Sequence, residues 1–210
     1  EALKQETAAA AERYAAAARK LTAKRKATAK ALAEAVTQAM QQLAMKGGRF
    51  GVTLQPLEAP GAAGMESIEF EVSSHPSLPM RPLAKVASGG ELSRLSLAIQ
   101  LVAARVSPVG TLVFDEVDAG IGGAVAETVG RSLRQLGKAR QVLCVTHLPQ
   151  VAAQGDAQWS VLRSGTRGKV ATSVARLDRA ARVEELARML GGAEITATTR
   201  KHAAELLDAG

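Results

Sequence analysis

The sequence has 210 residues, with 27 lysine or arginine and 20 aspartate or glutamate side chains, so its formal net charge at pH 7 is +7. Its apolar share of 47% is typical of a folded globular chain, which excludes wholesale disorder, and no apolar run is long enough to span a membrane. The single cysteine cannot form an internal disulfide, so the sequence favours a reducing compartment such as the cytoplasm. The chain starts with Glu1 and enters helical sequence at once, which suggests a piece of a longer polypeptide.

Residues 1–46 contain neither glycine nor proline, and strong helix formers dominate them. We predict one long helix here, ended by the glycine pair at 47–48. Its larger apolar residues step by three and four in two runs, from Tyr14 to Leu21 and from Leu32 to Leu43, as in a coiled-coil seam. No later segment suits such a seam, so we expect the partner helix of an antiparallel coiled coil to lie outside this sequence.

The same segment carries most of the positive charge, with nine basic residues against four acidic ones. From Arg19 to Lys30 it holds six lysines or arginines and no acid, a stripe that could neutralise DNA phosphates. A solvated helix face, or complementarity to an acidic partner helix, also explains the stripe, and this is the interpretation that we favour.

The remainder of the chain, 47–210, has the pattern of an α/β domain. Two alternating segments, 49–57 and 67–73, predict antiparallel strands, and a proline-rich loop follows them. Two short apolar runs, 111–114 and 141–145, are suited to buried parallel strands with a helix between them. The other predicted elements are helices at 89–106, 124–136, 183–190 and 198–207 and strands at 158–162 and 170–177.

The helix at 89–106 begins with an unusual sequence. Its predicted buried face carries apolar residues at helical spacing: Leu92, Leu95, Ile99, Val102 and Val106. Ser88 and Glu91 have the spacing of a capping box, which accounts for the helix start by itself. The capping box does not account for Gly89 and Gly90, since glycine destabilises a helical turn. Bare N–H groups beside a serine hydroxyl suit a phosphate, so a cap and a phosphate site are both open interpretations.

Acidic and imidazole side chains follow the two short apolar runs. Asp115 and Glu116 come at the end of the first run, where open α/β sheets place their ligands. Asp115 could hold Mg²⁺, and Glu116 could polarise a water molecule. His147 follows the second run and could reach the same sheet edge, while Asp118 lies in a tight turn beyond Glu116. Each of these residues also has a structural interpretation, as part of a solvated turn, a helix cap or a buried polar contact.

The order of these motifs along the chain resembles that of the ATP-binding-cassette ATPases. Residues 87–92 are similar to their signature motif, 112–116 to their Walker B strand, Asp118 to their D-loop and His147 to their switch histidine. The long helix that precedes the α/β domain narrows the resemblance to the structural-maintenance-of-chromosomes (SMC) branch of these ATPases. The segments that resemble the RecN family of bacterial DNA repair proteins are 88–94, 114–123, 146–152 and 185–192.

The resemblance implies an SMC-type head in which ATP and Mg²⁺ are held between the two heads of a dimer. The signature residues would contact the γ-phosphate across that dimer: Ser88, Gly89, Gly90 and Glu91. Asp115 would hold magnesium, Glu116 would activate water and His147 would sense the γ-phosphate. Asp118 would couple the two sites. The family acts at the bacterial nucleoid in recombinational repair of double-strand breaks, by gathering or bridging DNA ends.

One part of an ATP site is missing from the sequence. A phosphate-cradling loop needs the pattern Gly-x-x-x-x-Gly-Lys-Ser/Thr, and the Gly-Lys pairs at 137–138 and 168–169 fail it. Family members carry the loop in an N-terminal head segment, so the resemblance implies that 47–210 is a C-terminal lobe that is inactive alone. One alternative is the ATPase subunit of a transporter, which shares the motifs but not the long helical arm. Another is a non-catalytic coiled-coil scaffold, which gives the acidic residues and the histidine no role.

Overall fold

The structure, a computed structural model, describes residues 1–85, 89–115, 118, 120–166, 169–191 and 194–210. The chain divides into two compact units, residues 1–102 and 103–210. Among the described residues, no helix combines the length and the apolar character that crossing a lipid bilayer requires.

Helix α1 spans Ala2–Gln42 and forms the long arm predicted from the sequence. It ends before the predicted boundary at residue 46, because the Met45 N–H donates to the Met40 carbonyl at 3.1 Å and closes the last turn. Ala44 has a φ of +58° and Gly47 a φ of +78°, so the backbone turns out of the helix before the predicted glycine pair is complete.

A three-stranded antiparallel sheet follows, in the spatial order β1, β2, β3. β1 spans Arg49–Gly61, β2 spans Gly64–Ser73, and the short β3 spans Arg81–Pro82 within the predicted loop. β1 continues beyond residue 57, its predicted last residue, and β2 begins before residue 67, its predicted first residue. The reason is that the turn between them lies at residues 62–63. Gly64 starts β2 with a φ of +112°, a conformation that favours glycine.

The β1–β2 hairpin lies along α1 and packs on it. Toward the hairpin turn, the Tyr14 hydroxyl donates to the Gly61 carbonyl at 2.9 Å. Toward the other end, the Phe50 N–H donates to the Thr37 hydroxyl at 2.9 Å, and Met40 is fully buried. This packing buries the second run of the seam, including Val36 and Met40, whereas Leu21 in the first run is 37% exposed. A partner helix outside the sequence therefore stays a prediction.

Helix α2 spans Gly89–Val106, the predicted bounds, after one turn of 3₁₀ helix at Leu83–Lys85. Its buried face differs from the predicted one, because Leu92 and Val106 are exposed, Val106 to 85%. The buried residues form a stripe that is rotated around the helix: Leu95, Leu97, Ala98, Leu101 and Ala104. The prediction weighed only the larger apolar residues, whereas alanines occupy two positions of the actual stripe.

The second unit contains the predicted parallel strand pair, which confirms the α/β class. β4 spans Thr111–Phe114 and β5 spans Gln141–Cys144, and the two run parallel in full register. Helix α3, Gly123–Gly137, connects them, as a parallel pair requires.

The short helix α4, Pro149–Ala152, has no predicted counterpart. It packs near α3 at Gly130, where an added Cβ would lie 2.7 Å from the Cγ of Gln154. The missing side chain therefore allows a close approach between α3 and the segment that contains α4.

The chain continues with two strands and two helices, in the predicted order. β6 (Trp159–Thr166) and β7 (Lys169–Arg176) form an antiparallel hairpin of their own. The helices are α5, Arg179–Gly191, and α6, Ala197–Ala209. The core that α5 and α6 share with the end of α4 consists of Ala153, Leu186, Ala187 and Ala203.

The β4–β5 sheet is covered on one face only within the described part of the chain. Phe114 is buried on one face, and α3 packs against β5. On the opposite face, Val113, Leu143 and the following Val145 are exposed. Parallel strands are normally covered on both faces, so an exposed apolar face on this sheet is unusual.

Candidate functional site

The carboxyl ends of β4 and β5 lie side by side, because the strands are parallel and Phe114 pairs with Cys144. The Val145 N–H donates to the Phe114 carbonyl at 2.9 Å, which extends the pairing by one residue. Asp115 leaves the end of β4 with an exposed side chain, and His147 follows the end of β5. These two residues therefore follow adjacent strands at the same edge of the sheet.

Asp118 is buried at this edge, with only 1% of its surface exposed. Its Oδ2 accepts hydrogen bonds from the Thr146 hydroxyl, from the His147 N–H at 2.9 Å and from the Leu148 N–H at 3.3 Å. The Thr146 hydroxyl in turn accepts from the Leu148 N–H at 3.0 Å. A buried carboxylate is costly unless such donors satisfy it, so Asp118 and the segment 146–148 stabilise each other.

The same carboxylate orients the imidazole of His147. The Nδ1 atom lies 3.2 Å from the Oδ2 of Asp118, while 71% of the His147 side chain is exposed. A carboxylate in this position favours a proton on Nδ1, which leaves Nε2 as the nitrogen that can meet a ligand. The ring is therefore held at one nitrogen and presented to its surroundings at the other.

A tight turn places Asp118 against that segment. The Ile121 N–H donates to the Asp118 carbonyl at 3.2 Å, and Gly120 has a φ of +73°. Glycine suits position 120 because a side chain would strain the backbone at this φ.

The thiol of Cys144 is unreactive, although it lies close to the carboxylates of Asp115 and Asp118. Burial, with a further contribution from the carboxylates of Asp118 and Asp115, raises the pKa of its thiol to about 11. The thiolate is the reactive form of cysteine, so this thiol is protonated at neutral pH. Cys144 is therefore no candidate nucleophile.

The start of α2 presents two glycines as its first residues, Gly89 and Gly90. An added Cβ at Gly89 would meet no described atom within 4 Å, so packing gives no reason for glycine there. The Ser93 hydroxyl donates to the Gly89 carbonyl at 3.0 Å, inside the first turn. Ser88 lies outside the described residues, so the capping box and the phosphate site both stay predictions.

The predicted site residues fall into three groups. Those at the strand ends lie in the second unit: Asp115, Asp118 and His147. Those that start α2 lie in the first unit: Gly89, Gly90 and Glu91. Those outside the described residues are Ser88 and Glu116.

The described side chains at the strand ends fit a magnesium ion that is shared with a phosphate. No three His, Cys, Asp or Glu side chains converge on a metal position anywhere in the described ranges. Magnesium in nucleotide sites commonly takes one or two carboxylates and completes its shell with water and phosphate oxygens. The exposed carboxylate of Asp115 suits that arrangement.

Thr146 belongs to this group of residues, and the sequence analysis does not single it out. Its hydroxyl lies between Asp118 and the Leu148 N–H and bonds to both. The sequence offers only a weak indication of its role, which is that a residue with a hydroxyl group directly precedes His147 at the end of a strand. Only the fold shows that a carboxylate 28 residues earlier meets it.

No model of a known protein family matches the chain. It is similar to curated proteins named DNA repair protein RecN, with 47% identity over 177 residues to that of Vibrio cholerae and 48% over 178 residues to that of Xylella fastidiosa. The RecN of Streptomyces coelicolor is 43% identical over 188 residues. Each match covers 84% of this chain, but the chain spans only about a third of the relatives' length, 32% to 33%.

Solved SMC heads have a similar fold. The Smc head domain of Pyrococcus yayanosii, with a coiled coil and joint, has a TM-score of 0.66 at 21% identity, covering 88% of this chain and 34% of that one. The Smc head domain of Pyrococcus furiosus, with an extended coiled coil and bound to the C-terminal domain of ScpA, has a TM-score of 0.60 at 20% identity. That match covers 89% of this chain and 45% of the other. At such identities the likeness concerns the fold alone.

Proposed function

Because the chain belongs to the RecN family over the segment that it shares with those proteins, we propose that it is the C-terminal half of an ATP-hydrolysing, SMC-like head that acts in recombinational repair of DNA double-strand breaks. The observation that carries this proposal is the group of carboxylates and imidazole at the shared edge of β4 and β5. Ligands of open α/β sheets bind at such carboxyl ends.

We assign the strand-end carboxylates to the chemistry on ATP. Asp115 would hold Mg²⁺ through its exposed carboxylate. Magnesium, when bound, neutralises charge on the phosphates during their transfer to water. Glu116 is the adjacent carboxylate in the sequence and would accept a proton from the attacking water.

His147 and Asp118 would act as a pair. The Nε2 of His147 would contact the γ-phosphate, because the Nδ1 is occupied by the Asp118 carboxylate. Asp118 is a positioning residue in this scheme, since its buried carboxylate already bonds to the segment 146–148. We propose that it couples the two ATP sites through that segment, rather than by reaching the second head itself.

The start of α2 would contact the phosphate that a second head holds. Helix N-termini carry unpaired N–H groups and a partial positive charge, which together favour a phosphate. Gly89 lies in open space, so a phosphate can approach the backbone of the first turn. Ser88, Gly90 and Glu91 complete this predicted contact in an ATP-sandwiched homodimer.

The longer protein would supply the phosphate-cradling loop that this chain lacks. The chain spans 32% of the Vibrio cholerae relative, which leaves room for an N-terminal lobe. The exposed face of the β4–β5 sheet at Val113 and Leu143 supports this proposal, because a parallel sheet is normally covered on both faces. ATP would then be bound between this lobe and the N-terminal one.

DNA is the proposed partner of the complete protein, and the bacterial cytoplasm, at the nucleoid, is its proposed location. Within the basic stripe on α1, Arg25 pairs with Glu66 of the hairpin at 3.4 Å. The other basic side chains from Arg19 to Lys30 are exposed. They are available to DNA or to an acidic partner helix.

The test compares the 210-residue chain with a protein in which the N-terminal part is restored. We expect no ATP turnover by the chain alone and turnover by the restored protein. In the restored protein, Glu116→Gln should lower turnover by about 100-fold or more while ATP binding is retained, because general base catalysis is lost. Glu127→Gln, in an exposed ion pair with Arg131 on α3, is the matched control and should turn over normally. Turnover by the isolated chain, or an unchanged rate in the Glu116 variant, would contradict the proposal.

A further inference from the structure

A cluster of arginines surrounds an open cavity of about 390 Å³ in the second unit. The arginines that line it come from three elements: Arg134 of α3, Arg176 of β7, and Arg179 and Arg182 of α5. None of the lining residues belongs to the candidate ATP site described above.

Two of these arginines have carboxylate partners at the protein surface. Arg179 pairs with Asp208 at 2.5 Å. Arg134 lies 3.6 Å from Asp156, whose side chain is 82% exposed. Arg134 also donates to the carbonyl oxygens of Gln154, at 3.3 Å, and Gly210. Exposed ion pairs are weak, so the two carboxylates do not prevent a further anion from interacting with these arginines.

The other two arginines have no carboxylate partner within the described ranges. Arg182 donates from one terminal nitrogen to the Gly155 carbonyl at 2.7 Å, while its Nε is buried without a hydrogen-bond partner. Burial lowers the pKa of Arg182, and the charges of Arg134 and Arg179 lower it further, against the opposing effect of Asp156. The four arginines therefore exceed their two carboxylate partners, Asp156 and Asp208, by two positive charges.

We propose that this cavity binds a phosphate group. Guanidinium groups present N–H donors in a planar fork that matches phosphate oxygens, and like-charged arginines that converge on one cavity are stabilised by an anion between them. The phosphate comes either from a DNA backbone or from a small molecule, and the chemistry of recognition is the same for both.

The first test titrates the 210-residue chain with inorganic phosphate by calorimetry, in a low-salt buffer without other multivalent anions. We expect saturable binding that the double variant Arg176→Gln/Arg179→Gln weakens by about tenfold or more. Arg163→Gln, at an exposed position of β6 outside the cavity, is the matched control and should bind like the unmodified chain. The Asp156→Asn variant should bind phosphate about twofold to fivefold more tightly, because the substitution removes the carboxylate beside Arg134. Tighter binding by this variant could not be explained by misfolding.

The second test titrates the same proteins with a short DNA duplex at several salt concentrations. Weaker DNA binding by the double variant, with a salt slope lower by about one to two, identifies the DNA backbone as the source of the phosphate. Unchanged DNA binding with impaired inorganic phosphate binding identifies a small-molecule phosphate instead. The proposal is overturned if the double variant binds both phosphate and DNA as the unmodified chain does, or if the unmodified chain binds neither.

Discussion

Asp118 shows how a single side chain joins two segments at the candidate site. Its carboxylate is buried, and its hydrogen-bond donors are the Thr146 hydroxyl and the N–H groups of the two residues that follow. Hydrogen bonds to a charged acceptor are stronger than neutral ones, and their loss leaves buried donors without a partner. The position of His147 therefore depends on a residue that itself is nearly inaccessible to any ligand.

We expect Asp118→Asn to lower the free energy of unfolding by about 1–3 kcal/mol. The asparagine has nearly the same shape and its carbonyl oxygen can accept from the same donors, but it loses the charge that strengthens these hydrogen bonds. Urea denaturation of the 210-residue chain measures the change. Asp156→Asn, at an exposed carboxylate, should change the unfolding free energy by no more than about 0.5 kcal/mol. An Asp118 variant as stable as the unmodified chain would mean that its carboxylate does not hold the segment 146–148.

In the first unit, the β1–β2 hairpin packs against the long helix α1. The contacts run from Tyr14 to Met40 along α1, and the carboxylate of Glu66 bonds to both Thr22 and Arg25 between those limits. The helix therefore buries apolar surface in its second half without help from a second helix. Its first turns, around Leu3, are exposed.

We expect Met40→Ala to lower the free energy of unfolding by about 2–5 kcal/mol, because a fully buried side chain is replaced by a cavity. Leu3→Ala removes a similar volume from a side chain that is 76% exposed and should cost less than about 0.5 kcal/mol. Thermal or urea denaturation followed by circular dichroism gives both values. Equal small effects for the two variants would mean that the hairpin does not anchor this part of α1.

The sequence predicts the bounds of a helix or strand accurately where the residues at its two ends mark those bounds. α2 begins and ends at the predicted residues, and β4 has the predicted bounds because polar or turn residues flank its apolar run. The face that α2 buries and the packing of the β1–β2 hairpin on α1 depend on contacts between distant segments, which periodicity along one helix does not contain. The same holds at the site: the sequence predicts that Asp115 and His147 follow strand ends, but not that Asp118 meets Thr146.

At the scale of the whole molecule, the main feature is the apolar face of the β4–β5 sheet that is exposed to solvent. Val113 is 67% exposed, and Leu143 beside it is also exposed, although both lie on a pair of parallel strands. A two-stranded parallel sheet that is open to water on one face is not expected to be stable by itself. Relatives about three times as long as the matched segment have further polypeptide that could cover this face.

We expect Val113→Asp to leave the stability of the 210-residue chain within about 0.5 kcal/mol, because the substituted side chain stays in water. The same change should weaken association with the N-terminal part of the protein, supplied as a separate chain, by about tenfold or more, because the carboxylate would be buried without a partner. Val109→Asp introduces the same charge at an exposed position before β4 and is the matched control. Calorimetry of the two-chain mixture separates the outcomes. If the two variants associate equally well, the exposed face of the β4–β5 sheet is not the surface that the proposed N-terminal lobe covers.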